Sequence, residues 1–208
     1  MSALLGFSRL VDRLNEFVGR HVAWLVLAAV LISALNAAVR KAFNMSSNAF
    51  LEIQWYLFAA VFLLAAGYTM LRQEHVKIDV ILGRFSKRTQ LAVECFGIVA
   101  FLFPFCITVI TLVWPLVVKA YLTGEMSSNA GGLIRWPVFA LVPAGFGLLL
   151  LQGVSELIKR LAFLAGAGPD PTLKVQAKSA EEELAEVIRA RAEAEAAAAL
   201  AAAKGAAR

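Results

Sequence analysis

Two stretches of the chain read MSSNAFLEIQWYLFA, residues 45–59, and MSSNAGGLIRWPVFA, residues 126–140. Set against each other at an offset of 81 positions, nine of their fifteen residues coincide. The pentapeptide is shared, and Ile53 falls on Ile134, Trp55 on Trp136, Phe58 on Phe139 and Ala59 on Ala140. Self-similarity at a fixed period points to a repeated architectural unit. Each copy closes one long apolar run and opens another, so the unit is a membrane hairpin, helix–loop–helix. It is used twice in the same sense.

Composition supports that reading. Of 208 residues, 60% are apolar, and the mean hydropathy is +0.73, whereas soluble domains carry about 45–50% apolar residues. Four runs, about 22–39, 49–71, 91–118 and 136–158, approach or exceed the roughly 20 apolar residues that cross a bilayer. Without water the backbone must bond to itself, so each run is expected to be a helix. The fold expected is an all-α membrane protein with four transmembrane helices arranged as two parallel-repeated hairpins.

Lys and Arg near the ends of the runs set the sidedness. Arg9, Arg13, Arg20, Arg72, Lys77, Arg84, Lys87, Arg88, Lys159 and Arg160 fall on one side; Arg40, Lys41, Lys119 and Arg135 fall on the other. Ten against four puts both termini and the 72–90 loop in the cytoplasm and both MSSNA loops outside. The net charge of +5 is then a topology signal, not a nucleic-acid footprint. The basic 77–88 loop is suited to the anionic lipid of the inner leaflet.

Three domains follow. Residues 1–21 place Leu4, Phe7, Val11, Leu14 and Val18 on one helical face, beside Leu10 and Phe17, and read as an amphipathic helix in the membrane interface. A signal peptide is the competing reading, but the basic residues lie within the amphipathic pattern and no clean cleavage site follows. Residues 22–160 form the four-helix domain. Within it, Ala29, Ser33 and Ala37 on helix one and Ala140 and Ala144 on helix four are spaced for close helix approach. Pro104, Pro115 and Pro143 are expected to kink or interrupt their helices. Trp24, Trp55, Trp114 and Trp136 form an aromatic belt. Residues 161–208 are a Gly/Pro linker and a cytoplasmic Ala/Glu-rich tail, helical or disordered, with a capping box at Ser179 and Glu182.

Reactive chemistry is sparse. Cys95 and Cys106 are about 16 Å apart along one helix, too far for a disulfide. His21 and His75 lie at the boundary, away from the positions that bis-His haem ligation needs. No phosphate loop, zinc spacing or nucleophile–base pair occurs, so no catalytic, cofactor-binding or metal-binding residues are assigned. Glu52, Glu94 and Glu156 lie near helix ends, where they can snorkel to the interface. Glu52 stands out, at the N-terminal end of helix two, where backbone dipoles favour a carboxylate. The segment from Arg72 to Asp79 is either a solvated turn or a docking element built on ion pairs of Arg72, Glu74, His75, Lys77 and Asp79.

Taken in order, Glu52-Ile-Gln-Trp55, Gly67-Tyr68, the 72–79 segment, residues 127–137 and the ending Leu151-Gln-Gly-Val-Ser-Glu156 are similar to the small membrane subunit of tripartite ATP-independent periplasmic (TRAP) transporters. The resemblance covers about residues 10–160. It implies a non-enzymatic inner-membrane subunit. Its partners would be a large permease subunit that carries an organic acid with sodium and a periplasmic substrate-binding protein. The implied role is scaffold beside the moving transport domain. Candidate partner-interface residues are Glu52, Trp55, Arg72, Glu74, His75, Asp79, Asn129, Gly131, Arg135, Ala140 and Ala144. The alternative is a self-contained, homo-oligomeric four-helix transporter or channel.

Overall fold

The computed structural model describes residues 2–43, 47–73, 85–166, 168, 188 and 191. Four helices dominate it: α1 (Ser2–Phe43), α2 (Asn48–Leu71), α3 (Lys87–Thr123) and α4 (Trp136–Leu164). All four are long and apolar enough to span a membrane. Helix α4 is central and touches the other three, while α1 lies along α2 and also reaches α4. The all-α, four-span architecture is as expected. Residues Thr172–Arg208 form a separate unit. Of it only Ile188 and Arg191 are described, both helical, so the capping box at Ser179 lies outside the described residues.

Helix α1 joins the amphipathic stretch to the first apolar run: it runs unbroken for 42 residues, ~60 Å at 1.5 Å per residue. No proline falls within it, and Gly19, the natural place for a break, is packed. A Cβ there would lie 2.2 Å from the Tyr68 ring of α2. The face turned to the other helices is largely polar, and most of the apolar face is left outside, where lipid would lie. Ser8, Val11, Asn15 and Val22 are buried, whereas Leu4, Phe7, Leu10, Leu14 and Phe17 are exposed. The polar residues turn in because α4 meets them with polar partners of its own.

Helix α3 starts at Ser86, whose hydroxyl accepts from the Thr89 N–H, a side-chain N-cap. It then passes through one widened turn, Ile98–Leu102, in which the Phe103 N–H bonds to the Ile98 carbonyl. The next residue is Pro104, which has no N–H to offer the preceding turn. An inserted residue of π-helix accommodates that gap without ending the helix. The widened turn presents Ile98, Leu102 and Phe103 to Gly153 of α4. Pro115 and Pro143 lie inside helices that continue past them, so neither interrupts its helix. Gly124 ends α3 in the left-handed conformation (φ 61°), the usual stop for a helix. Cys95 and Cys106 are both free thiols.

Of the small-residue spacings, only some mark helix contacts. Ala29 is buried against its neighbours, but Ser33 and Ala37 are exposed, and Ala144 is exposed beside a buried Gly145. At Gly145 α2 and α4 approach closely: a Cβ would lie 2.5 Å from the Leu63 carbonyl oxygen. Gly147 has nothing within 4 Å. Gly145→Ala is therefore expected to cost about 1–3 kcal/mol by overpacking against backbone. Gly147→Ala should be neutral or slightly stabilising through helix propensity. Thermal melts of the detergent-solubilised protein separate the two; equal midpoints would contradict the assigned contact.

Candidate functional site

The two copies of the repeat meet each other. Glu52 sits one turn inside α2 and is only 2% exposed. One carboxylate oxygen accepts from the Leu133 N–H at 2.6 Å. The other accepts from Asn129 Nδ2 at 2.8 Å and from the Ser127 hydroxyl. Leu133 is the residue that aligns with Glu52 in the repeat, so an acid in one copy binds the backbone of its counterpart.

The loop is shaped for this. Residues 125–135 fold back as a short hairpin, with Ser127 N–H donating to the Leu133 carbonyl and Arg135 N–H to the Glu125 carbonyl, both at 2.9 Å. Gly131 turns the tip with φ 70°, a conformation glycine adopts without strain. At Gly132 a Cβ would stand 2.8 Å from the Glu52 carboxylate; the missing side chain lets the loop close over the acid. Two further bonds pin α2 to the loop: Asn48 Nδ2 to the Ala130 carbonyl at 3.0 Å and Tyr56 Oη to the Ile134 carbonyl at 3.1 Å. Arg135 pairs with Glu125 at 3.2 Å. Trp136 meets Tyr121 edge-on at 5.5 Å, tying the end of α3 to the start of α4.

A second polar centre lies at the opposite ends of the helices. Asp12 of α1 accepts from Ser155 Oγ at 2.8 Å, from Gln152 Nε2 at 3.0 Å and from Lys159 Nζ at 3.2 Å. Asn15 donates to Gln152 Oε1 at 2.9 Å, and the hydroxyls of Ser8 and Ser155 are 2.7 Å apart. Glu156, 2% exposed, pairs with both Lys159 and Arg160, and Arg160 reaches Glu94 of α3 at 2.8 Å. The seam joins α1, α3 and α4 through charge.

The expected interface residues therefore separate. Glu52, Asn129, Gly131 and Arg135 gather at the loop end, with Trp55 exposed nearby and stacked edge-on against Tyr56. Arg72 lies at the other end, paired with Glu16 at 3.1 Å and set over the Tyr68 ring at 5.2 Å. Ala140 is half-buried and Ala144 exposed on α4. Glu74, His75, Lys77 and Asp79 lie outside the described residues. Two expectations need correction. Glu52 and Glu156 do not snorkel outward; water is replaced at Glu52 by donors of the 127–133 loop and at Glu156 by Gln152, Lys159 and Arg160 of its own helix. The seam residues Ser8, Asp12, Asn15, Gln152, Ser155, Lys159 and Arg160 did not stand out as a site by spacing alone. The signal available was polar residues at steps of three and four on both α1 and the end of α4.

The chain is thus a multi-pass α-helical membrane protein whose buried polar groups join its own helices. Among the described residues no group of three or more His, Cys, Asp or Glu could hold a metal ion. Residues 29–163 match the family described as "Tripartite ATP-independent periplasmic transporters, DctQ component". The chain belongs to that family and is a small membrane subunit of a TRAP transporter. No curated protein and no solved structure gives a match to it.

Proposed function

We propose that this subunit enlarges the fixed scaffold beside a large permease subunit, in sodium-coupled uptake of an organic acid delivered by a periplasmic binding protein. The reading is supported above all by how the buried acids are used. Both oxygens of Glu52, and Glu156 with them, are bound by donors of this chain. Intramembrane charges that carry a solute must exchange partners during transport; these hold helices together.

The Lys and Arg asymmetry supports a bacterial inner-membrane orientation with both termini in the cytoplasm and the 125–135 hairpin in the periplasm. There the exposed Gly131 tip is placed to meet the binding protein. Exposed apolar side chains along α1 and α3 leave ample surface for lipid and for the large subunit. Mild-detergent extraction from cells that also express the neighbouring large permease should yield a heterodimer. Ala144→Trp, at an exposed helix position, should lower its recovery about tenfold by overfilling a small-residue contact while the chain alone still folds. Recovery of a homo-oligomer that transports solute in liposomes without other subunits would replace this reading with the self-contained transporter.

A further inference from the structure

Between the C-terminal end of α1 and the start of α2 lies an open cleft of about 540 Å³. It is lined by Ser33, Asn36, Ala37, Arg40 and Lys41 of α1 and by Leu51 and Gln54 of α2. Four of these, Asn36, Arg40, Lys41 and Gln54, carry strong hydrogen-bond donors. None of the four side chains has a hydrogen bond or ion pair with another described residue. This contrasts with both polar centres above, where buried donors and acceptors are matched to each other.

Depth sharpens the point. Asn36 lies about two turns, ~10 Å, inside the end of α1, and Gln54 neighbours Trp55, whose indole marks the headgroup level. The Asn36 amide at that depth loses water and needs a polar partner, while Gln54 lies at the level of headgroup and ester oxygens. Arg40 and Lys41 add two positive charges at the C-terminal end of α1, and the nearby acid on α2, Glu52, is committed to the 127–133 loop. Among its lining residues the cleft therefore has two cations and two amides but no carboxylate. Its flanks are exposed apolar side chains, Leu31 and Leu35 on α1 with Phe50 and Leu51 on α2, which suit acyl chains.

We propose that this cleft binds the headgroup of an anionic phospholipid from the leaflet at the α1–α2 turn. Arg40 and Lys41 take the phosphate, Asn36 and Gln54 donate to its glycerol ester oxygens, and the acyl chains run down the apolar flanks. The site makes the α1–α2 hairpin sensitive to the lipid beside it. The assignment does not depend on which side of the membrane the turn occupies.

Native mass spectrometry of the full chain, alone and in complex with its large subunit, tests this with added phosphatidylglycerol, phosphatidylethanolamine or inorganic phosphate. Phosphatidylglycerol adducts should be retained about tenfold better than phosphatidylethanolamine. The Arg40→Ala/Lys41→Ala variant should lose that preference, and Arg40→Lys/Lys41→Arg should keep it. Both side chains are exposed, and circular dichroism verifies that the variants fold. Should the alanine variant fail to fold, Asn36→Leu with Gln54→Leu carries the same expected loss. Equal adducts in wild type and variant would overturn the proposal. So would saturation by millimolar phosphate without lipid retention, or loss of the adduct when the large subunit binds.

Discussion

Glu52→Ala is expected to lower the melting midpoint of the protein by more than about 5 °C, a large shift for a chain of this size. It should also speed hydrogen exchange at the amides of residues 127–133. The carboxylate is the common acceptor for the Leu133 N–H, the Asn129 amide and the Ser127 hydroxyl. Hydrogen bonds to a charged acceptor are about twice as strong as neutral ones, and donors left without it forfeit their desolvation cost. Glu52→Gln should be nearly as damaging. Glutamine keeps one acceptor atom but brings an NH2 to the other, and while the Ser127 hydroxyl can rotate to accept, the Asn129 amide then faces a donor. Asn129→Ala removes only one of three donors and should cost least. The ranking Ala, then Gln, then Asn129→Ala identifies the carboxylate as the organiser of the loop. An unchanged midpoint and unchanged exchange in Glu52→Ala would show that the hairpin holds itself.

That loop also shows how far the sequence could be read. The repeat located both copies of the hairpin and singled out Glu52, because periodicity and an acid at a helix start are local signals. The contact between copies is not local: it depends on α2 and α4 lying side by side, with Gly145 against the Leu63 backbone. The four spans were legible for a similar reason, since hydrocarbon imposes length and apolarity on each segment separately. The unbroken course of α1 was not. Its amphipathic pattern was visible, but which face turns inward was decided by Gln152, Ser155 and Lys159, some 140 residues away. An apolar face is a safe guide to the interior only where the exterior is water. In a chain with lipid around it, Leu10 and Phe17 can face outward while Ser8 and Asn15 pack.

The same logic makes Arg160 the most consequential side chain of the inner seam. It is 5% exposed, donates from Nε to Glu94 at 2.8 Å, and pairs through Nη1 with the Glu156 carboxylate, whose backbone carbonyl Nη1 also reaches at 3.1 Å. Lys159 covers Glu156 from the other side but is shared with Asp12. Arg160→Leu would take the guanidinium from both Glu94 and the buried Glu156, which should cost about 3–5 kcal/mol, the usual penalty for breaking a buried pair. Arg160→Lys should recover only part, since a single ammonium cannot span both acids as a planar guanidinium does. If the cost comes from stranded charge, then removing the acids as well must restore stability. The triple change Arg160→Leu, Glu94→Leu, Glu156→Leu is therefore expected to regain most of the loss, as apolar replacements of buried ion pairs commonly do. High salt should leave the wild-type seam intact while weakening the exposed pair that Arg20 makes with Glu16 one turn earlier on α1, at 2.8 Å, because screening acts on exposed charges and much less on buried ones. Chemical or thermal denaturation of the wild type and the three variants, at low and high salt, reads each term separately. A triple variant no more stable than Arg160→Leu would mean that the seam contributes packing geometry that no apolar set of similar size can supply.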